Sequence, residues 1–210
     1  MSWLTPKKVK IGTVLILVGG LLAVSGTFSD SGPDEELITQ GRIIFEENAG
    51  GVGVGCAACH GHFGMGDLQV GSNNRGASEE RIRKGFATRD QMSFLRLTDD
   101  EVKAVAAFLE YLGKLFPIKV TIKDSQFEPS QVSVPANRQI QFIFDNKDNE
   151  ACNLSSEEAG IKEKSLEPGK VDDVVWQSPS KAATFTVRCN PRTDIAVTIV
   201  VEADKQEAKK

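Results

Sequence analysis

The chain has 210 residues, of which 40% are hydrophobic and 26% are charged, and its formal net charge is −4. This composition excludes a disordered chain and a multi-span membrane protein, and the charge excludes a generally basic nucleic-acid binder. Because the sequence contains only two His, any metal site that needs several imidazoles must draw on His60 and His62 alone.

The amino terminus carries a long apolar segment. Three lysines among the first ten residues precede an uncharged run over residues 11–29. As a helix this run would extend about 28 Å, enough to cross a hydrocarbon core, and the lysines would hold its start in the cytoplasm. A signal peptide cleaved near residues 23–25 is the alternative. We favour a membrane anchor over residues 1–29, and both interpretations place the rest of the chain on the periplasmic or outer side of the cytoplasmic membrane.

The remaining residues divide into two domains and a tail. Residues 30–116 show helical patterns at both ends of a glycine-rich middle, whereas residues 117–203 consist of short alternating runs between turn residues. This alternation predicts an antiparallel sandwich or barrel. Residues 204–210 form a charged tail. The predicted strands cover residues 118–123, 131–134, 139–144, 171–176, 183–187 and 196–201.

A C-x-x-C-H motif lies in the helical domain, from Cys56 to Cys59 and His60. This spacing is typical of covalent c-type haem attachment, because two thiols can add to the two vinyl groups of the ring while the adjacent imidazole binds the iron. A redox cysteine pair would follow a strand, and a zinc site would need about four ligands, with only His62 nearby. We therefore predict one covalent haem c on Cys56 and Cys59, with His60 as an axial iron ligand.

The residues on both sides of this motif resemble the class I c-type cytochromes. In that family a Gly and an aromatic residue of the first helix pack across the last helix. Gly41 and Phe45 match the first pair, and Phe108 and Tyr111 are the candidates to meet them. The last helix is predicted to begin at a capping box over residues 98–101. The resemblance implies an all-α domain that binds a single haem.

The second iron ligand is predicted to be Met92. Met65 follows His60 too closely to reach the opposite face of the haem, whereas Met92 precedes the last helix, where cytochromes of this family present their axial Met. Here Ser93 replaces the Pro that often follows that Met. A Met92 that merely fills core space is the alternative. Arg75 resembles residues that contact haem propionates in some relatives, and a plain surface arginine is equally compatible with the sequence.

The second domain resembles a cupredoxin, which implies an all-β Greek-key sandwich. The resemblance does not extend to the copper ligands, which in type 1 sites are two His, one Cys and a weak axial Met. Cys189 matches the Cys, but Cys152 and Arg192 replace the two His, and Ile195 lies near the Met position. We therefore expect no copper. The matching features are residues 127–129, 139–146, 166–169 and 184–189.

The same resemblance implies that Cys152 and Cys189 converge, since the corresponding positions of the family bind one metal ion. In an oxidising compartment two converging thiols can form a disulfide. A pair of free buried thiols and a soft metal such as Cu(I) are the alternatives.

Together these expectations describe a multidomain chain: an N-terminal transmembrane helix, an all-α cytochrome c domain and an all-β cupredoxin-like Greek-key sandwich. The expected function is not that of an enzyme. It is single-electron transfer by a membrane-anchored monohaem cytochrome, with a respiratory or photosynthetic complex or a redox protein as partner, while the sandwich serves for docking or spacing. A haem relay subunit of a larger complex and a haem-based sensor are the alternatives.

Overall fold

The computed structural model describes residues 34–203. The predicted membrane anchor over residues 1–29 and the charged tail over residues 204–210 therefore lie outside the described residues. Between residues 34 and 203, no helix has both the length and the apolar composition that crossing a membrane requires.

The first part of the described chain, residues 34–115, is helical and is called the helical domain below. Its last helix begins where the sequence predicts, because the Thr98 side chain accepts from the Glu101 N–H while the Glu101 carboxylate accepts from the Thr98 N–H at 2.7 Å. Short 3₁₀ turns lie at Ala49–Gly51, His62–Gly64 and Asp90–Met92. The α-helices are α1 (Glu35–Glu46), α2 (Ala57–His60), α3 (Glu79–Thr88) and α4 (Asp99–Lys114).

Helices α1 and α4 cross at a glycine. A Cβ atom at Gly41 would collide with the backbone carbonyl oxygen of Ala104, so only glycine allows the two backbones this close. Next to the crossing, the rings of Phe45 and Phe108 are buried with their centroids 5.7 Å apart. The predicted packing of Gly41 and Phe45 against Phe108 is confirmed, and Tyr111 packs half-buried against the same core.

The second part of the described chain, residues 116–203, is a two-layered β-sandwich. One sheet has the strand order β2-β1-β4-β7 and the other has the order β3-β9-β8-β5-β6. The strands are β1 (Phe116–Lys123), β2 (Gln126–Glu128), β3 (Gln131–Pro135), β4 (Gln139–Asn146), β5 (Cys152–Ser156), β6 (Ile161–Leu166), β7 (Val171–Gln177), β8 (Ala183–Asn190) and β9 (Ala196–Glu202).

The pairing of the strands corrects the predicted topology. The sandwich is confirmed, but it is not purely antiparallel, because β1 pairs in parallel with β4 and β3 pairs in parallel with β9. Both parallel pairs join strands that are not neighbours in the sequence. The prediction also lacked β2, β5 and β6, which contain few large apolar residues.

Strand β4 is buried on both faces, and this attaches the sandwich to the helical domain. Ile140, Phe142 and Phe144 belong to the core between the two sheets. The alternate residues Gln141 and Ile143 are also buried, and Ile143 belongs to the hydrophobic core of the helices. The helical domain therefore covers the outer face of the four-stranded sheet.

Candidate functional site

A cavity of about 730 Å³ opens in the helical domain, and Cys56, Cys59, His60 and Met92 all line it. Its volume lies within the range of roughly 300–1,000 Å³ that small-molecule and cofactor sites occupy. Helices α3 and α4 supply much of the remaining wall, including Ile82 and Leu109. The four residues predicted to hold a haem thus share one cavity, while haem binding itself stays a prediction.

The imidazole of His60 is held in one tautomer by the loop that follows it. Its Nδ1 lies 2.7 Å from the backbone carbonyl oxygen of Ser72. Because a carbonyl oxygen can only accept, Nδ1 carries a proton, so that in the neutral imidazole the lone pair that a metal ion requires is on Nε2. Gly71 lies against the ring, since a Cβ atom at that position would be 2.6 Å from Nδ1. His60 is therefore prepared to act as a ligand through Nε2.

The loop itself is tied to the cysteine motif by backbone hydrogen bonds. We call residues 61–75 the His60 loop. The N–H of Gly71 donates to the carbonyl of Cys59 at 2.8 Å, and the N–H of Gly66 donates to the carbonyl of His60 at 2.6 Å. These bonds fix the loop relative to the short helix α2 that carries the motif.

The two cysteines of the motif do not resemble a redox pair. Burial raises the pKa of the Cys56 thiol to about 11, so that this thiol is protonated at neutral pH. Catalytic C-x-x-C motifs instead lower the pKa of one thiol to produce a thiolate nucleophile. Helix α1 and a 3₁₀ turn precede the motif, not the strand that a redox motif would follow. Cys56 and Cys59 are unbonded in the structure.

The two candidate methionines lie in different environments. Met92 ends a 3₁₀ turn and lines the cavity, with its Sδ 3.4 Å from the point where a Cβ on Gly85 would lie. Met65 packs half-buried against the hydrophobic core of the helices. The geometry therefore favours Met92 over Met65 as a ligand to a group in the cavity.

The environment of His62, the other imidazole, does not suit a ligand to a group in the cavity. Its side chain is 53% exposed, and its Nδ1 lies 2.8 Å from the carboxylate of Glu46. The hydrogen bond to Glu46 raises the pKa of His62, although partial burial opposes the shift.

The cavity wall carries groups that suit an anionic macrocycle. Arg81, Lys84 and Arg89 line it, and a haem presents two propionates that could pair with such cations. Asn74 also lines it, and its buried Oδ1 has no hydrogen-bond partner within residues 34–203. This amide oxygen can only accept, so it needs a donor such as a water molecule and does not bear on the propionates. The residues present therefore fit a covalently attached haem.

The sequence suggests that Arg75 either contacts a haem propionate or lies on the surface, and the structure places it in neither position. It is half-buried between the domains, where it donates to the carbonyls of Phe63 at 3.2 Å and Leu112 at 2.5 Å and to the Gln141 amide oxygen at 2.7 Å. Burial lowers the pKa of Arg75 to about 10, and the charge of Asp173 opposes this shift. Arg75 is thus an interdomain contact.

Cys152 and Cys189 lie together inside the sandwich and form a disulfide, with their Cα atoms 5.1 Å apart. Both are fully buried. They belong to the adjacent strands β5 and β8, which pair antiparallel in the five-stranded sheet. The predicted disulfide is confirmed.

The residues around this disulfide do not fit a type 1 copper site, which needs two imidazoles and a free thiolate. The Arg192 guanidinium approaches Cys189 Sγ at 3.7 Å and pairs with the Glu150 carboxylate at 3.2 Å. Ile195 is buried beside them. In the part of the chain that the structure describes, no three or more His, Cys, Asp or Glu side chains form a group that could hold a metal ion.

Sequence reasoning missed three contributors to this arrangement. Ser72 acts through its backbone carbonyl, which no residue type can signal, and Gly71 is one glycine among many in its segment. Gln141 could be recognised from the sequence only in retrospect. It is a polar residue within the strongly apolar strand β4, at a position that the helical domain buries.

Comparison with known proteins identifies the second domain only. The model of the cupredoxin-like domain family matches residues 113–201. Among curated proteins, none matches the sequence.

Several solved structures match part of the chain at low identity. Amicyanin from Paracoccus versutus is 13% identical, with 41% of this chain and 81% of amicyanin covered and a TM-score of 0.34. Auracyanin A from Chloroflexus aurantiacus is 15% identical, with 42% and 99% covered and a TM-score of 0.37. A copper-containing nitrite reductase from Thermus scotoductus is 15% identical, with 42% and 23% covered and a TM-score of 0.34.

The family match and the observed sandwich agree in their extent, since the match ends inside β9 and begins near the end of α4. Most of the helical domain lies outside the match. Residues 113–201 form a cupredoxin-like domain.

Proposed function

We propose that the chain is a monohaem c-type cytochrome that carries single electrons. Cys56 and Cys59 hold the ring through thioethers, and His60 and Met92 bind the iron. A bound haem supplies a one-electron iron couple whose potential depends on the axial ligands. The observation that carries the proposal is the shared cavity, in which the C-x-x-C-H motif and Met92 line one space of about 730 Å³.

The side chains around the cavity favour electron transfer over substrate chemistry. The hydrogen bond from His60 Nδ1 to the Ser72 carbonyl leaves the lone pair of the neutral imidazole on Nε2, and Met92 lines the same cavity. If His60 and Met92 both bound the iron, these two side chains would take the places that a substrate such as peroxide needs. We therefore propose an electron carrier and not an enzyme or a sensor.

The cupredoxin-like domain also points to electron transfer or copper binding. The residues that replace the copper ligands do not fit copper, because both Cys152 and Cys189 are committed to a disulfide and Arg192 replaces a His. We propose that this domain contributes no second redox centre and instead supports the haem domain and its docking to a partner.

The proposed location is the outer side of the cytoplasmic membrane, with residues 1–29 as the anchor and a redox protein or a respiratory or photosynthetic complex as partner. The Cys152–Cys189 disulfide supports this location, because such bonds persist in oxidising compartments and are rare in the cytosol. Tethering would raise the concentration of the haem near a membrane complex.

A redox titration of the haem-loaded protein tests the ligand assignment. We expect Met92→Ala to lower the midpoint potential, because a thioether ligand raises it, and to abolish the sulfur-to-iron charge-transfer band of the ferric spectrum. Met65→Ala is the matched control and should leave both unchanged. An unchanged potential in Met92→Ala would contradict the assignment.

A further inference from the structure

Two side chains of the sandwich reach across to the His60 loop. The Nζ of Lys119, on β1, lies 2.5 Å from the carboxylate of Asp67. The amide oxygen of Gln141, on β4, accepts from Arg75 Nη1 at 2.7 Å. Since Asp67 and Arg75 both belong to residues 61–75, the sandwich holds this loop at two separate points.

The second contact, between Gln141 and Arg75, is rigid because Gln141 is buried and both ends of its amide form hydrogen bonds. Gln141 has no exposed surface, and its amide nitrogen donates to the Asp173 carboxylate at 2.7 Å. Arg75 in turn donates to the carbonyls of Phe63 and Leu112. Neither side chain can rotate without leaving a buried polar group unpaired, which is costly. The sandwich therefore fixes the position of Arg75 relative to the start of the loop.

Between these two contacts lies the segment that orients His60. Gly71 and Ser72 separate Asp67 from Arg75 along the chain, and it is the Ser72 carbonyl that accepts from His60 Nδ1. A displacement of Ser72 relative to His60 would change the length of this hydrogen bond. That bond sets the tautomer, the ring orientation and the basicity of a metal-bound imidazole.

We propose that Lys119 and Gln141 are positioning residues for His60, so that the cupredoxin-like domain tunes the haem through the His60 loop. The inference rests on the proposed function, since it requires a haem whose iron binds His60. In this proposal the sandwich acts on the haem of the helical domain and does not bind copper itself. Because outer partners of a ligating histidine adjust the potential of its metal, the effect should appear in the reduction equilibrium.

The first test uses Lys119, which lies at the surface, so that its replacement should leave the fold intact. In haem-loaded protein we expect Lys119→Ala to change the equilibrium constant for reduction about threefold or more, which is about 28 mV at 59 mV per tenfold. Lys119→Arg keeps a cation for Asp67 and should restore the wild-type potential. Lys123→Ala, an exposed lysine on the same strand that pairs with the adjacent Asp124, is the control and should have no effect.

The second test uses Gln141. Gln141→Ala should change the potential in the same way, whereas Gln139→Ala, an exposed glutamine two residues earlier on β4, should not. If Gln141→Ala does not accumulate as folded protein, Lys119→Ala and its rescue by Lys119→Arg decide the question alone.

The outcomes separate this inference from the proposed function. If wild-type protein matured in a competent host carries no covalent haem, the proposed function and the inference both fail. If the haem is attached and Met92→Ala lowers the potential, but Lys119→Ala and Gln141→Ala match their controls, only the inference is overturned. A changed potential that Lys119→Arg does not restore would also overturn it, because the contact with Asp67 would not be the cause.

Discussion

Gly71 and His60 show how a single backbone position fixes the surroundings of an imidazole. The imidazole lies directly against the glycine, while the next residue, Ser72, supplies the carbonyl that holds Nδ1. A side chain at residue 71 would occupy the space of the ring. The requirement for glycine here comes from close packing and not from backbone conformation, since the φ of Gly71 is not positive.

Replacement of this glycine should displace the imidazole of His60 by crowding it. In Gly71→Ala the new methyl group would lie 2.6 Å from His60 Nδ1, and overpacking of this kind costs about 1–3 kcal/mol. We expect a lower yield of haem-loaded protein and an altered ferric absorption spectrum. Ser72→Ala keeps the backbone carbonyl and is the control. A normal yield of haem-loaded protein and a normal spectrum in Gly71→Ala would contradict this expectation, because they would mean that the His60 loop moves aside for the methyl group.

The C-x-x-C-H motif is the part of the cavity that the sequence predicts best. Cys56, Cys59 and His60 are contiguous, so their proximity needs no knowledge of the fold. Met92 could be proposed only through resemblance to a family, because its approach to the cavity depends on how α3 and α4 pack. The partners of His60 and Arg75 could not be predicted, since they are backbone carbonyls or residues of the other domain.

At the scale of elements, the crossing of α1 and α4 sets the frame of the helical domain. Gly41 permits backbone contact, and Phe45 and Phe108 fill the space beside it. Because the carbonyl of Ala104 belongs to a helix, it cannot move aside alone. Even one methyl group at residue 41 must therefore separate the two helices.

Gly41→Ala should accordingly destabilise the protein by about 3 kcal/mol, at the upper end of the usual cost of overpacking. Gln40→Ala, at the exposed neighbouring position of the same helix, should change the free energy of unfolding by less than about 0.5 kcal/mol. Urea denaturation measures both. Equal stability of the two variants would contradict the observed crossing.

The disulfide between β5 and β8 is the main covalent constraint of the sandwich. It joins residues 37 apart in the sequence. By the chain-entropy relation a link of this span stabilises the folded state by about 3–4 kcal/mol.

Replacement of both cysteines, Cys152→Ala with Cys189→Ala, should therefore lower the free energy of unfolding by about 3–4 kcal/mol. A reducing agent should lower the stability of the wild type and leave that of the double variant unchanged. Urea titrations with and without reductant provide the measurement. A wild type that is insensitive even after mass spectrometry confirms full reduction would contradict a stabilising role.

The strands of the sandwich that the sequence predicts are the most apolar ones. Strands β1, β4 and β9 alternate clearly or are strongly apolar, and the sequence predicts them within a few residues. Strand β5 buries Cys152, Leu154 and Ser156, of which only one is large and apolar. The parallel pairs could not be predicted, because pairing between distant strands leaves no local pattern.

At the scale of the whole molecule, the helices and the four-stranded sheet share an interface with partly exposed ion pairs. Arg42 of α1 pairs with Asp172 at 3.0 Å and with Asp173 at 3.1 Å, and Lys164 pairs with Asp172 at 2.8 Å. Ile143 adds an apolar contact from β4. The helical domain and the sandwich thus have a specific and extended junction.

This junction should weaken in acid. Burial tends to raise the pKa of Asp172, but the hydrogen bond from Lys164 and the charges of Lys164 and Arg42 outweigh it and hold the pKa below its usual 3.8. A carboxyl with a lowered folded-state pKa contributes stability that is complete above pH 3.8 and is lost as the pH falls through the folded-state value.

We therefore expect Asp172→Asn to be less stable than the wild type at neutral pH, with the difference shrinking as the pH falls below 3.8. Asp124→Asn, at a largely exposed carboxylate, is the control for loss of a charge. Thermal denaturation across this pH range provides the measurement. A difference that grows in acid would contradict the direction of the pKa shift.

The most direct measurement is the haem content of full-length protein made in a host that attaches c-type haem. The account predicts one haem per chain by the pyridine haemochrome assay, retained after extraction with acid acetone, and a matching increase in the intact mass. Cys56→Ala combined with Cys59→Ala should abolish this retention. A wild-type chain that carries no haem, or that releases it to acid acetone, would contradict the account.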